Sequence, residues 1–375
     1  MHPPMTIGTE HEYSINDREF HAMPDSDRIL KSICGRYDSE IAFGEVTLGK
    51  ELQKTVLEMV PRKPADELAE LEAQLVKGMN KFNHVFAGRY QLLGLGMHPL
   101  ATLREIPVWD HDEGEYYEVY DRLFDIRQHG WLNIQALQIN LSYESSRALI
   151  SLYNRVRSLL PYLIAITASS PMVEGDLTGT CDNRLIYYRE NQKEIPLICN
   201  RIIPETIHSV TDYRNQQEEI FRELRARGAD ILCEEWVNSG GIIIRFSRTC
   251  LEIKALDEQE SIHSDMAVCA FIRALLRCHA LPVEHDQELL LGLTEQAIQR
   301  GTEGMHDDLM RLYDAAWKHA TGDERAYLPV IKDRIINGSL AERIRNRVLD
   351  GEDIGQVLSD MAECLRANRS YGCSG

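Results

Sequence analysis

Apolar residues recur along this chain in two rhythms. Four well-separated stretches alternate: Gly8-Thr9-Glu10-His11-Glu12-Tyr13, Thr55-Val56-Leu57-Glu58-Met59-Val60, Leu137-Gln138-Ile139-Asn140-Leu141-Ser142 and Cys250-Leu251-Glu252-Ile253-Lys254. In a strand, residues i and i+2 share a face, so each stretch can turn carboxylates or amides to one side and mainly apolar residues to the other. Strands are predicted over 5–16, 55–60, 90–95, 136–143, 230–237, 241–247 and 249–256, with Asn238-Ser239-Gly240 as a hairpin signal between two of them. Residues 38–62 are mixed, punctuated by Gly44 and Gly49.

The second rhythm is helical. Leu68, Leu71, Leu75, Met79, Phe82 and Phe86 fall at spacings of three and four, one apolar stripe behind Asp66 as the expected cap. Helices are also predicted over 115–127, 146–167 (Pro161 marking a kink or break) and 214–227, ending at Gly228. Beyond Asp257 nearly everything reads as helix: 259–279, 285–299, 306–319, 339–349 and 353–367. The expected fold is α+β, a mainly antiparallel sheet flanked by helices with a helical C-terminal third. One domain over 1–375 is expected, with a sheet-bearing core at about 5–257 and a helical part at about 258–375; there is no repeat or evident linker.

The polar faces carry the chemistry. Buried carboxylates are costly without partners, so a gathering of them implies cations. All-oxygen ligation suits Mg²⁺ or Mn²⁺, and Mg²⁺ usually arrives with phosphates. The pattern points to ATP chemistry on a sheet. No GxxxxGK[ST] loop and no GxGxxG after a strand is present, so a nucleotide would not sit on a P-loop.

Charge narrows the partners. With 41 basic against 59 acidic residues the formal net charge is −18, a surface that repels nucleic acid and anionic membranes. No apolar run approaches the ~18 residues that span a bilayer. Met1-His2-Pro3-Pro4 lacks the basic and apolar regions of a signal peptide. The nine cysteines include no CxxC pair and read as reduced, mostly buried thiols, so a cytoplasmic location is expected. His11 lies opposite the carboxylates flanking it and reads as a packed or surface histidine. His98, before Pro99, reads equally as a turn residue or a site residue.

Five segments, in this order, resemble the glutamate–cysteine ligase superfamily of carboxylate–amine ligases, relatives of glutamine synthetase. Gly8-Thr9-Glu10-His11-Glu12 is similar to the family's opening GxExE strand. Glu51-Leu52 with Val56-Leu57-Glu58 is similar to its second acidic element, and Leu137 to Ser142 to its central strand. Ser169-Ser170-Pro171 with Gly175, Thr178-Gly179 and Arg184 is similar to its helix-to-loop signature. Leu251-Glu252-Ile253-Lys254-Ala255-Leu256-Asp257 is similar to its ExRxxD strand. The resemblance implies a sheet curved into a glutamine-synthetase-like funnel, holding ATP and two or three divalent ions, Mg²⁺ or Mn²⁺. It also implies a two-step reaction: the γ-carboxylate of glutamate attacks ATP, and an amine then displaces phosphate from the acyl phosphate.

By the same resemblance, Glu10, Glu51 and Glu58 would hold one metal ion, and Glu12, Gln138 and Glu252 another. Lys254 would contact the transferring phosphate, Arg184 a substrate carboxylate or phosphate, and Asn140 the substrate or a metal-bound water. Gln138 stands where many relatives have His, and Lys254 where Arg is usual; Lys keeps the charge but loses the planar fork. Glu51 and Glu58 cannot share a face of one unbroken strand, so a bulge or loop must separate them. The resemblance favours glutamate–cysteine ligation. The alternatives are another amine or acid with the same mechanism, a non-catalytic metal- or nucleotide-binding regulatory protein, and, more weakly, a metal-dependent hydrolase. Small-molecule substrates are the expected partners, and a homodimer is expected from commonness alone.

Overall fold

A computed structural model describes residues 6–112, 114–199 and 201–372; the Met1–Pro4 stretch and Cys373 lie outside these residues. Ten strands are described: β1 (Ile7–Asn16), β2 (Glu40–Phe43), β3 (Val46–Lys50), β4 (Val56–Pro61), β5 (Gln91–Leu93), β6 (Ala136–Ser142), β7 (Met172–Val173), β8 (Asp176–Leu177), β9 (Ile242–Arg245) and β10 (Cys250–Asp257). All but the β7–β8 ribbon join one eight-stranded antiparallel sheet, ordered β2-β3-β4-β1-β6-β10-β9, with β5 also paired to β1. The four strands with polar faces are therefore contiguous: β4, β1, β6, β10.

Each of these strands has a dry side. Ile7, Tyr13 and Ile15 of β1, Leu57 and Met59 of β4, Leu137, Ile139 and Leu141 of β6, and Leu251 and Ile253 of β10 are fully buried. They pack into the main core with helices. These run as α1 (Ser26–Cys34), α2 (Leu68–Val85), α3 (Gly114–Phe124), α4 (His129–Leu132), α5 (Ser146–Thr167), α6 (Asn183–Tyr188), α7 (Val210–Ala226), α8 (Ile262–Arg277), α9 (Gln287–Arg300), α10 (His306–His319), α11 (Gly322–Asn337), α12 (Leu340–Leu349) and α13 (Ile354–Ala367). Apolar side chains of α2, α5 and α8 join those strand residues in one cluster. Among the C-terminal helices, α8 touches α2, α5, α10 and α11, and α13 packs directly on β5.

Several expectations are corrected. Residues 230–237 form no strand: two 3₁₀ turns, Asp230–Leu232 and Glu235–Val237, stand there. Their alternation is used differently, with Leu232 and Val237 buried beside Tyr120, Phe124 and Ile220. The hairpin accordingly closes between β9 and β10, not at Asn238-Ser239-Gly240. Pro161 neither ends nor breaks α5: the helix runs on because its apolar surface is buried almost all round, which outweighs one lost backbone bond. Asp66 does not cap α2, whose N-cap position is Glu67 without a side-chain bond. The mixed stretch 38–62 resolves into the β2–β3 hairpin and β4, and α11 fills residues predicted to lie between helices.

Candidate active site

Register brings the predicted polar residues together. Glu10 lies opposite Gln138, Glu12 opposite Glu58, and Glu252 opposite Asn140. Glu51 follows the end of β3, and residues 51–55 separate it from β4, so the required interruption is a loop. Gly49 pairs with Glu58 across β3 and β4. A β-carbon at Gly49 would stand 2.8 Å from Glu58 Oε2, so the missing side chain is what lets this carboxylate lie over β3.

A cavity of about 360 Å³ opens over this face. Of the nine predicted residues, Glu10, Glu12, Glu51, Glu58, Gln138, Arg184 and Lys254 line it. The structure brings Asn140 and Glu252 beside it rather than into its wall. Asn140 Nδ2 donates to Glu10 Oε1 at 3.0 Å. Glu252 is buried, accepts from Arg245 Nη1 at 2.6 Å and has Lys254 Nζ 3.8 Å away. A larger cavity of about 580 Å³, between the 189–202 loop and α9, contains none of the nine.

The electrostatics are those of like charges forced together. Burial pushes the Glu12 carboxyl up to about 8, and the neighbouring Glu51 charge adds to this. It stays there despite hydrogen bonds to its carboxylate from Gln138 Nε2 and Ala136 N, both 2.8 Å. Burial raises Glu58 well above the usual carboxylate range, with Glu10, Glu51 and Glu12 reinforcing the effect. Glu51 is raised too, chiefly by burial, with Lys50 and Lys254 opposing. Arg248 Nη1 donates to Glu10 Oε1 at 2.6 Å. Such an all-oxygen set, desolvated and short of positive charge, fits Mg²⁺ or Mn²⁺.

Arg184, on α6, is buried. Its Nε donates to Asp257 Oδ1 at 2.7 Å and its Nη2 to the Lys254 carbonyl at 3.2 Å. Asp257 also accepts from Ser169 N at 2.9 Å and Ser170 Oγ at 2.8 Å. The Ser169-Ser170-Pro171 segment and the end of β10 are therefore one unit, with Asp257 as its centre. Sequence reading quoted Asp257 within a motif without giving it this role. It missed Arg245 and Arg248, which nothing local marks as partners of Glu252 and Glu10. It also missed the aromatic wall of Tyr117, Tyr120, Trp131, Tyr188 and Trp236. His98 is a turn residue: buried, its Nδ1 accepts from Leu100 N and Ala101 N and its Nε2 faces Asn16 Oδ1 at 2.6 Å. The eight described cysteines are free thiols, buried except for Cys34 and Cys233.

Comparison with known proteins gives a match at the level of family and fold. The family profile described as glutamate-cysteine ligase family 2 (GCS2) matches residues 6–360. An uncharacterized protein of Archaeoglobus fulgidus is 47% identical over 369 residues, covering 97% of this chain and 100% of that protein. A Herpetosiphon aurantiacus protein, provisionally named glutamate–cysteine ligase 2, is 25% identical over 192 residues; that match spans 50% of this chain and under half, 46%, of the relative. In three dimensions, the glutamate–cysteine ligase of Francisella tularensis in complex with AMP superposes with a TM-score of 0.71. The superposition covers 98% of this chain and 90% of that one at 14% identity, a likeness of fold.

Proposed function

The chain belongs to glutamate-cysteine ligase family 2, and from that premise we propose that it is an ATP- and Mg²⁺-dependent carboxylate–amine ligase. Its acid substrate is glutamate, joined through the γ-carboxylate, and cysteine is the first candidate amine. The observation that carries the reading is the crowding of Glu12, Glu51 and Glu58 around one cavity, with carboxyls held above their ordinary range by burial and mutual repulsion. Folding such groups together is unfavourable unless cations enter. Glu10, Glu51 and Glu58 would hold one ion, and Glu12, Gln138 and Glu252 a second. Bound there, the ions would neutralise the phosphate oxygens of ATP.

The chain's own residues do the rest. Lys254, in the cavity wall, offers an ammonium to the phosphoryl group in transfer. Arg184, fixed by Asp257, binds an anionic group of the substrate, and Asn140 orients a neighbouring ligand. The γ-carboxylate oxygen attacks the terminal phosphorus of ATP, and ADP leaves. The amine nitrogen attacks the resulting acyl phosphate, phosphate leaves with the C–O bond pair, and the nitrogen loses a proton. The aromatic wall keeps water from the acyl phosphate. The AMP bound by the Francisella tularensis protein supports an adenine nucleotide here.

A second reading keeps this mechanism and changes the amine. It is favoured by Tyr120, Trp131 and Trp236, whose rings meet in the cavity wall with centroids 5.1 and 6.2 Å from that of Tyr120. That surface would suit an apolar amine larger than cysteine. The test is release of ADP and phosphate with Mg²⁺, ATP and glutamate, amines being added singly from cysteine onward. Release requiring glutamate and cysteine, with a dipeptide of matching mass, supports the first reading. Release with a bulkier amine supports the second. Folded protein releasing no ADP with any amine overturns both.

A further inference from the structure

Behind the catalytic face, on the dry side of the sheet, lies a second group of ligand-type side chains. His11 of β1, Glu258 just after β10 and Asp265 of α8 are fully buried, and their donor atoms lie within 4.8 Å of one another. His11 Nδ1 is 3.2 Å from Glu258 Oε1 and 3.3 Å from Asp265 Oδ2. On the other edge of the ring, Nε2 is 2.8 Å from Thr9 Oγ1.

Three observations set this cluster apart from a packed salt bridge. Neither oxygen of Asp265 receives a well-aligned hydrogen bond, Oδ2 standing 3.3 Å from His11 Nδ1 as an ion-pair contact, although the residue is wholly buried. The Tyr13 hydroxyl, two residues from His11 on the same face of β1, is also buried without a partner. A desolvated carboxylate without an aligned donor is a costly arrangement in a protein core. The charge is the second point: burial raises the Glu258 and Asp265 carboxyls, and against the opposing effect of burial these two groups raise the His11 imidazole to about 10. The empty cluster therefore holds protons that a divalent ion would displace; with those protons gone the three groups sum to −2, which one such ion cancels. Geometry is the third. Ligand atoms bonded at ~2.1 Å stand roughly 3.0 Å apart along an octahedral edge and roughly 3.4 Å along a tetrahedral one. Both Nδ1-to-oxygen distances fall in that interval. Thr9 accepting the Nε2 hydrogen would fix the tautomer and leave the Nδ1 lone pair facing the carboxylates, the outer-shell arrangement of metal-bound histidines.

We propose that His11, Glu258 and Asp265 form a buried structural site for a divalent first-row transition ion, separate from the Mg²⁺ cavity on the opposite face. The mixed nitrogen and oxygen donors suit Zn²⁺, Mn²⁺ or Fe²⁺ better than Mg²⁺. The ion would tie β1, the end of β10 and α8 at one point. Glu258 Oε2 also accepts from the Glu12 backbone at 3.2 Å, so the tie reaches the strand that presents Glu10 and Glu12 to the cavity. The proposal does not depend on the ligase reading.

Metal content tests it directly. Full-length protein from cells grown with added Zn²⁺ and Mn²⁺ is dialysed against EDTA, and retained metal is measured by mass spectrometry. Oxygen-only sites open to solvent should empty, and the buried site should keep about one equivalent per chain. Glu58→Gln should keep that equivalent, whereas Asp265→Asn and His11→Gln should each retain under about a fifth of it. Protein refolded with Co²⁺ should show ligand-field bands that Asp265→Asn lacks. Folded wild-type protein that holds no transition metal after growth in supplemented medium, and shows no Co²⁺ bands after refolding, overturns the site and leaves a proton-sharing triad. So does an equivalent lost from Glu58→Gln but kept by both cluster variants, which would place the ion in the upper cavity.

Discussion

Replacing Glu58 with glutamine separates the stability of the empty protein from its affinity for metal. Glu58 is partly buried and its carboxyl is raised well above the ordinary range by desolvation and by Glu10, Glu51 and Glu12. A raised folded-state value in an acid means that the ionised form opposes folding: stability is greatest where the group keeps its proton and falls as pH rises through the folded value. Glutamine imitates the protonated form without having to take up a proton on folding, so the metal-free variant should melt above the parent at pH 7. Metal reverses the comparison. For 375 residues the melting entropy is ~0.8 kcal/mol/K. An ion present at a hundred times its dissociation constant stabilises by ~2.7 kcal/mol, which corresponds to ~3 °C per ion. The parent should gain that much for each ion bound, and Glu58→Gln should lose the gain of one ion, with ADP release reduced at least ~100-fold. Differential scanning calorimetry with and without 10 mM Mg²⁺ (~10 mM being ample for a site of this class), paired with a turnover assay, reads both quantities. A variant that keeps the parent's whole Mg²⁺ shift, or one that unfolds without metal, would refute the reasoning.

Gly49→Ala places a β-carbon 2.8 Å from Glu58 Oε2 and should raise the Mg²⁺ midpoint about tenfold, ~1.4 kcal/mol, in a protein that still folds; an unchanged midpoint in a Mg²⁺ titration refutes the role given to the glycine. Asp257→Asn breaks the buried pair with Arg184 and should cost ~3–5 kcal/mol, a fall of ~4–6 °C in melting temperature, with a raised KM for the anionic substrate; a fall under ~1 °C would count against it. Because Glu12 titrates at about 8, its proton competes with the ion below that pH. Mg²⁺ affinity should therefore weaken by up to about tenfold per pH unit from 8 down to 6, and calorimetry in paired buffers should detect proton release on binding.

The parts legible in the sequence were those governed by local repetition. Alternation along β1, β4, β6 and β10 assigned Glu10, Glu12, Glu58, Gln138, Asn140, Glu252 and Lys254 to polar faces, because the period of a strand is a property of its own backbone. The stripe from Leu68 to Phe82 marked α2 for the same reason. Local reading failed where packing chose between two uses of one pattern. The alternation at 230–237 closed into 3₁₀ turns under an aromatic cluster. α11 escaped notice because Pro329 interrupts an already weak periodicity, although its neighbours hold the helix together.

What tertiary structure alone decided is who stands beside whom. Residues 7–16, 56–61, 136–142 and 250–257 become adjacent strands through backbone hydrogen bonds across long stretches of chain. Pairing energy between strands carries little sequence information, whereas burial of the shared dry face carries much. The same packing delivered Arg248 to Glu10 and Arg245 to Glu252, and left Glu12, Glu51 and Glu58 without equal compensation. It also set His11, which the sequence could only assign to the opposite face, between Glu258 and Asp265. A residue's face follows from its own strand, but its charge environment is summed over neighbours that only folding brings near.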